Sequence, residues 1–116
     1  MISVNVYRNK DNGHIRGFRV SGHAEYADKG QDIVCAAVSV LAINTINAFD
    51  TFLPDELVTV NTDEKNASIE CYFDDEPSEK AVLLLDTFIL GIKGIKEQYS
   101  SKYLKLIDES EDENRR

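Results

Sequence analysis

At 116 residues the chain is long enough for one small domain and too short for a catalytic unit with a separate cofactor module. Apolar residues make up 42% against only six Gly and two Pro, which supports a packed core and excludes disordered or fibrous classes. Thirteen Lys and Arg against twenty-one Asp and Glu leave a net charge of −8, a balance that repels phosphate backbones, argues against a nucleic-acid partner and favours a basic one.

Ile2, Val4 and Val6 alternate with Ser3 and Asn5, and after the turn-rich stretch 9–13 a second alternating run puts Phe18 and Val20 on one face. That pattern predicts an opening β-hairpin. Residues 21–31 carry Gly22 and Gly30 but no apolar period, so they read as an eleven-residue loop. Asp32 then precedes a run free of Gly and Pro over 33–53, in which Val34, Val38, Leu41, Ala42, Thr45, Ala48 and Phe49 recur at three-and-four spacing, the mark of a long, mostly buried helix. Pro54 and Asp55 close it. Residues 57–61, a turn at 63–66 and residues 67–73 form a second hairpin, with Ala67, Ile69, Cys71 and Phe73 on one face.

The acidic residues 74–76, then Pro77 and Ser78, suit the start of a second helix, because carboxylates favour its positive end and a serine caps it. Ala81, Leu85, Phe88, Ile92, Ile95 and Tyr99 give its core stripe, and Gly91 and Gly94 within it are expected to permit a close backbone approach. Residues 103–107 read as a short closing strand, with an extension of the helix as the alternative, and residues 108–116 as an acidic, solvated tail. The resulting class is α+β with two layers: a largely antiparallel sheet, two helices on one face, order ββαββα plus the closing strand, in one domain over 1–107. The longest apolar stretch, 34–43, is interrupted by Ser39 and falls short of the roughly 20 residues of a bilayer span. The start of the chain has no export pattern, and two cysteines are no disulfide framework, so a cytoplasmic protein with free thiols is expected.

The chemistry concentrates between Gly22 and Ser39. With Asp32 as the helix N-cap, Cys35 falls at the third helical position, where free first-turn N–H groups and the positive helix end stabilise a thiolate nucleophile and can hold an oxyanion. His23 lies twelve residues upstream, and a chain that folds back brings its imidazole to the sulfur as general base. Gly22 and Gly30 bracket the loop as hinges. Asp32 either caps the helix or orients His23. Ser39, one turn after Cys35, either faces the site or bonds back to the Cys35 carbonyl. A lone Cys among small apolar residues is more often core than catalyst. Cys71, between Ile69 and Phe73, is assigned to packing, and His14 to an exposed place in the hairpin. Neither a close-spaced metal-ligand pair nor a phosphate-binding glycine loop occurs, so no metal or cofactor is called.

Gly22-His23-Ala24, then Gly30, then Asp32-Ile33-Val34-Cys35-Ala36-Ala37-Val38-Ser39 resembles the signature of the bacterial ribosomal-processing cysteine proteases, the Prp family. The resemblance extends over about residues 1–107 in length, element order and the Gly-Ile-Lys near the end of the second helix. It implies an endopeptidase that removes a short N-terminal extension from a large-subunit ribosomal protein, number twenty-seven, by cutting after an apolar, aromatic-containing segment. His23 is then the base and Cys35 the nucleophile, the substrate is a basic ribosomal protein, and the protein is a homodimer. Two other readings stand beside it: a non-catalytic dimer that assists ribosome assembly, and another thiol-dependent hydrolase such as an esterase.

Overall fold

The computed structural model describes residues 1–22, 29–99 and 102–108, the side chains of 29–31 excepted. In chain order the elements are β1 (Ile2–Arg8), β2 (Ile15–Ser21), α1 (Lys29–Phe52), β3 (Val58–Asp63), β4 (Ser68–Phe73), α2 (Glu79–Tyr99) and β5 (Leu104–Asp108). The strands form one sheet in the order β3-β4-β2-β1-β5, antiparallel except for the β1–β5 pair. This is the two-helix, largely antiparallel α+β class expected from the patterning. The closing segment is the strand, not a helical extension. It reaches Asp108, which the sequence reading gave to the tail: the carboxylate takes two hydrogen bonds from the Arg8 guanidinium, at 2.8 and 2.9 Å. The remaining tail, 109–116, lies outside the described residues.

One face of the sheet is apolar. Register aligns Val6, Phe18, Cys71 and Val60 across four strands, and the first three are sealed from solvent. Phe88 of α2 stacks on Phe18 with ring centroids 4.0 Å apart, and Phe49 of α1 meets Phe73 edge-on. Most of the helix stripes read from spacing are buried, Val34, Val38, Ala42, Thr45 and Phe49 on α1 and Ala81, Leu85, Phe88 and Ile92 on α2, while Leu41, Ala48, Ile95 and Tyr99 of the same stripes are half-buried. Ser78 caps α2, its hydroxyl oxygen accepting the Ala81 N–H at 3.2 Å. Gly91 is small for a reason, since a Cβ there would stand 2.8 Å from the Leu41 side chain of α1; Gly94 faces open space, so the close approach expected of both belongs to one. By length and composition Asp32–Phe52 would also pass as a membrane span, at mean hydropathy 1.7, which the shorter stretch read from sequence does not. Helices that pack on a sheet pass the same test, and α1 does so through its buried stripe.

Two further expectations, the start of α1 and the place of Ala67, are corrected. Helix α1 begins at Lys29, three residues before Asp32, so the loop ends sooner and Gly30 belongs to the first helical turn instead of hinging a loop. The residues 29–31 carry no apolar period, which is why spacing could not reveal them. Ala67 is not part of β4 but closes the β3–β4 turn with φ 48°, a left-handed conformation. A register shift at Tyr7/Arg8 leaves Arg16 opposite no residue, and its guanidinium lies 5.5 Å from the centre of the Tyr72 ring.

On the outer sheet face Asn5, Arg19, Glu70 and Asn61 stand in one row. The Tyr7 hydroxyl donates to Glu70 Oε2 and the Asn61 amide donates to Oε1 at 3.1 Å. The Tyr7 bond first, then that from Asn61, holds the Glu70 carboxyl below its ordinary value of 4.5, with burial opposing. A carboxyl depressed by folding adds stability above its unfolded value, and that stability is lost as pH falls through the folded value. Tyr7→Phe removes the first donor, so Glu70 is expected to titrate at higher pH in a carbon-detected NMR titration and the acid side of the stability curve to become shallower. An unmoved Glu70 would refute the assignment.

Candidate active site

Cys35 is half-buried on α1 and Cys71 is buried on β4; both are free thiols. Desolvation pushes the Cys71 thiol up to about 12, which leaves it protonated and inert, as its packing role requires. Cys35 instead opens on a cavity of about 290 Å³. Val38, Ser39 and Ile43 extend the α1 wall from Cys35; Ile2, Val20 and Gly22 close the end under β1 and β2; Thr62, Asp63, Glu64, Ala67, Ser68 and Ile69 supply the wall opposite.

That opposite wall comes from the β3–β4 hairpin, which the sequence reading did not connect with Cys35. Asn66 fastens the turn by donating its backbone N–H to Asp63 Oδ1 at 3.3 Å and its amide to Oδ2 at 2.6 Å. The amide bond, then the backbone bond, keeps the Asp63 carboxyl below its ordinary 3.8, so the cavity rim carries negative charge at neutral pH. No local signal in the sequence joins residues 62–69 to position 35, because the link is the order of strands in the sheet.

Of the residues singled out in advance, Cys35 and Ser39 share the cavity, one helical turn apart, and Gly22 lines its end. Gly22 has φ 104°, a conformation that favours glycine, and a Cβ there would stand 2.4 Å from the Met1 carbonyl oxygen. Asp32 is exposed in the first turn of α1, where its charge suits the positive helix end, but it is not the N-cap. Cys35 is accordingly not the third helical residue. It lies six residues after the first, about 9 Å further along the axis, where its own N–H belongs to the helical ladder and the end effect has faded. The expectation that first-turn amides at Cys35 hold the oxyanion is withdrawn for that reason. Ser39 makes no hydrogen bond to the Cys35 carbonyl among the described residues, whereas Thr45 bonds back to Leu41 at 2.7 Å; Ser39 takes the site-facing alternative. His23 lies outside the described residues. His14 is exposed in the hairpin, its Nδ1 3.0 Å from Glu76 Oε1.

Comparison with known proteins gives the site its context. The family model described as cysteine protease Prp matches residues 1–105. The ribosomal processing cysteine protease Prp of Bacillus subtilis is 32% identical over 102 residues, 85% of this chain and 90% of that protein. That of Staphylococcus aureus is 30% identical over 100 residues, 86% of this chain and 92% of its own. The crystal structure of the S. aureus protease in complex with a substrate peptide superposes with a TM-score of 0.82 at 28% identity, covering 94% of this chain and all of that one.

Proposed function

The chain belongs to the cysteine protease Prp family, and from that premise we propose that it is a cytoplasmic endopeptidase that removes a short N-terminal extension from ribosomal protein twenty-seven of the large subunit. The supporting observation is that Cys35 is a free thiol opening on a cavity of side-chain size, while the second cysteine is sealed in the core. His23 takes the Cys35 proton and the sulfur attacks the scissile carbonyl carbon, forming the tetrahedral intermediate. The same proton passes from His23 to the departing amine as the C–N bond breaks. Water, activated by His23, then hydrolyses the thioester and restores the thiol. Such chemistry needs a reduced sulfur, which fits the cytoplasm.

The test is a peptide spanning the extension and the first residues of the mature ribosomal protein. Mass spectrometry is expected to find two fragments whose masses sum to that of the peptide plus one water. An intact peptide after prolonged incubation with reduced protein would end the proposal. Net charge −8 attracts a basic substrate, so kcat/KM for the whole ribosomal protein is expected to fall as salt rises.

The reading includes a homodimer. Val40 on α1 and Leu90 on α2 are 65% and 71% exposed, and between the helices Ala36, Ala37, Gly91 and Gly94 floor a shallow apolar groove. Small residues flanked by projecting ones form a self-complementary surface that a two-fold axis can satisfy. Val40→Glu would place like charges together across that axis and is expected to halve the mass seen by sedimentation equilibrium. A wild-type protein already monomeric at micromolar concentration would refute this part.

A further inference from the structure

The turn that joins β1 to β2 holds the only asparagine in the sequence that is followed by glycine, Asn12-Gly13. The glycine is required by the turn: its φ of 75° lies in the left-handed region that a residue without Cβ adopts freely. The same missing side chain leaves the Gly13 main-chain nitrogen unshielded. Apart from its chain neighbours, a Cβ built there would meet no heavy atom within 4 Å, and Asn12 is itself exposed. A side-chain carboxamide directly before an open glycine nitrogen is the pairing from which a five-membered imide ring closes.

Three hydrogen bonds hold the reacting groups apart. Asn12 Oδ1 accepts the His14 N–H at 2.9 Å, Asn12 Nδ2 donates to Glu76 Oε1 at 2.9 Å, and the Gly13 N–H donates to the Asn9 carbonyl at 2.8 Å. The carboxamide is pinned through both its atoms, and the nitrogen that would attack it is engaged elsewhere. Glu76, in the loop before α2, serves the whole turn: Oε2 accepts the Asn9 amide N–H at 2.8 Å, and His14 Nδ1 stands 3.0 Å from Oε1. One carboxylate distant in the chain therefore closes the turn as a clasp. Its bonds are all exposed to solvent, so the turn opens locally without global unfolding.

We propose that Asn12 is a site of spontaneous deamidation and that the Glu76 clasp is the brake on the reaction. When the turn opens, the Gly13 nitrogen attacks Asn12 Cγ. The N–Cγ bond forms and the Cγ–Nδ2 bond breaks; the Gly13 amide proton leaves with Nδ2 as ammonia, and a succinimide remains. Water then opens the ring, at the Cγ carbonyl to give aspartate or at the main-chain carbonyl to give isoaspartate. Either product carries a carboxylate where Glu76 had a donor, so like charges replace a hydrogen bond. The site is independent of the protease reading. It lies at the end of the hairpin remote from Ile2 and Val20, which line the Cys35 cavity, so the converted protein is expected to keep the activity of the unconverted one.

The experiment incubates the full chain in mildly alkaline buffer and follows the tryptic peptide 11–16 by mass spectrometry, in which amide and acid differ in mass and the two acids in retention. Asn12 is expected to convert at least about tenfold faster than any other asparagine, because only its neighbour has the backbone freedom of glycine. Glu76→Ala, whose fold is checked by circular dichroism, is expected to convert about threefold faster again, since more molecules have the turn open. Asn12→Gln keeps an amide but cannot close a five-membered ring, and is expected to stay unconverted. Asn12, ahead of His14, holds the Glu76 carboxyl below its ordinary 4.5, so Asn12→Asp is expected to make Glu76 titrate at higher pH and to speed amide exchange over 9–14. An Asn12 that stays an amide while other asparagines convert overturns the site. Equal rates in the wild type and Glu76→Ala overturn the brake.

Discussion

Cys35→Ala is expected to abolish peptide cleavage while leaving the fold in place. The two halves of that outcome have separate physical grounds. Removing a nucleophile that acts as a unit with its base costs about 10⁴-fold or more in kcat, because neither partner retains a useful fraction of the effect. The fold, by contrast, loses one sulfur from a half-buried helical position, and alanine is the best helix former. The thermal midpoint should therefore move by only a few degrees, about 1 kcal/mol or less. Cys71→Ala should behave in the opposite manner. Its side chain is fully enclosed on β4 against the core, so the truncation costs about 1 to 2 kcal/mol of stability and leaves the rate of cleavage by the folded protein unchanged. Mass spectrometry for the first variant and a melting curve for both read out the contrast. Equal cleavage by wild type and Cys35→Ala would refute the assignment of the sulfur.

The sequence carried the parts of this picture that depend on neighbouring positions. Alternation at Ile2, Val4 and Val6 and the Ala81, Leu85, Phe88, Ile92 stripe are local periodicities, and each names a buried face directly. The Ser78 cap is legible because a serine beside acidic residues has one favoured use before a helix. What escaped is set by relations across the chain. The order β3-β4-β2-β1-β5 decides that the 62–69 hairpin faces Cys35, and nothing within either segment specifies it. The helix start at Lys29 was hidden because its first turn is polar and exhibits no period. That one shift puts Cys35 six residues beyond the start of α1, past the first-turn amides, and the base proposed for it, His23, is a residue that only the motif, and no periodicity, could suggest.

Phe88→Ala is expected to destabilise the protein by about 3 to 5 kcal/mol, the range for emptying a buried aromatic position. The ring is 1% exposed and lies nearly parallel to Phe18, with an interplanar angle of 19°, so the loss comprises the transfer of a large apolar surface, the cavity left behind and the stacking contact itself. Relaxation cannot close the gap cheaply, because Phe18 is pinned between Val6 and Cys71 in the sheet and Phe88 is flanked on α2 by the buried Leu85 and Ile92. Set against a total of about 5 to 15 kcal/mol for a small domain, this is enough to populate the unfolded state at physiological temperature. Urea denaturation should show a lower midpoint with an unchanged slope, since the surface exposed on unfolding is nearly the same. Leu90→Ala, two residues away on the opposite side of the helix and 71% exposed, provides the control in the monomer and should shift the midpoint by less than about 0.5 kcal/mol. The consequence reaches the site through β2: Phe18 is two residues from Val20, which lines the end of the Cys35 cavity, so the stack that holds α2 to the sheet also steadies that end of the cavity. Activity of the variant should fall with the folded fraction below its midpoint, and a loss of activity with no change in the urea midpoint would show that the stack acts on the cavity and not on the fold.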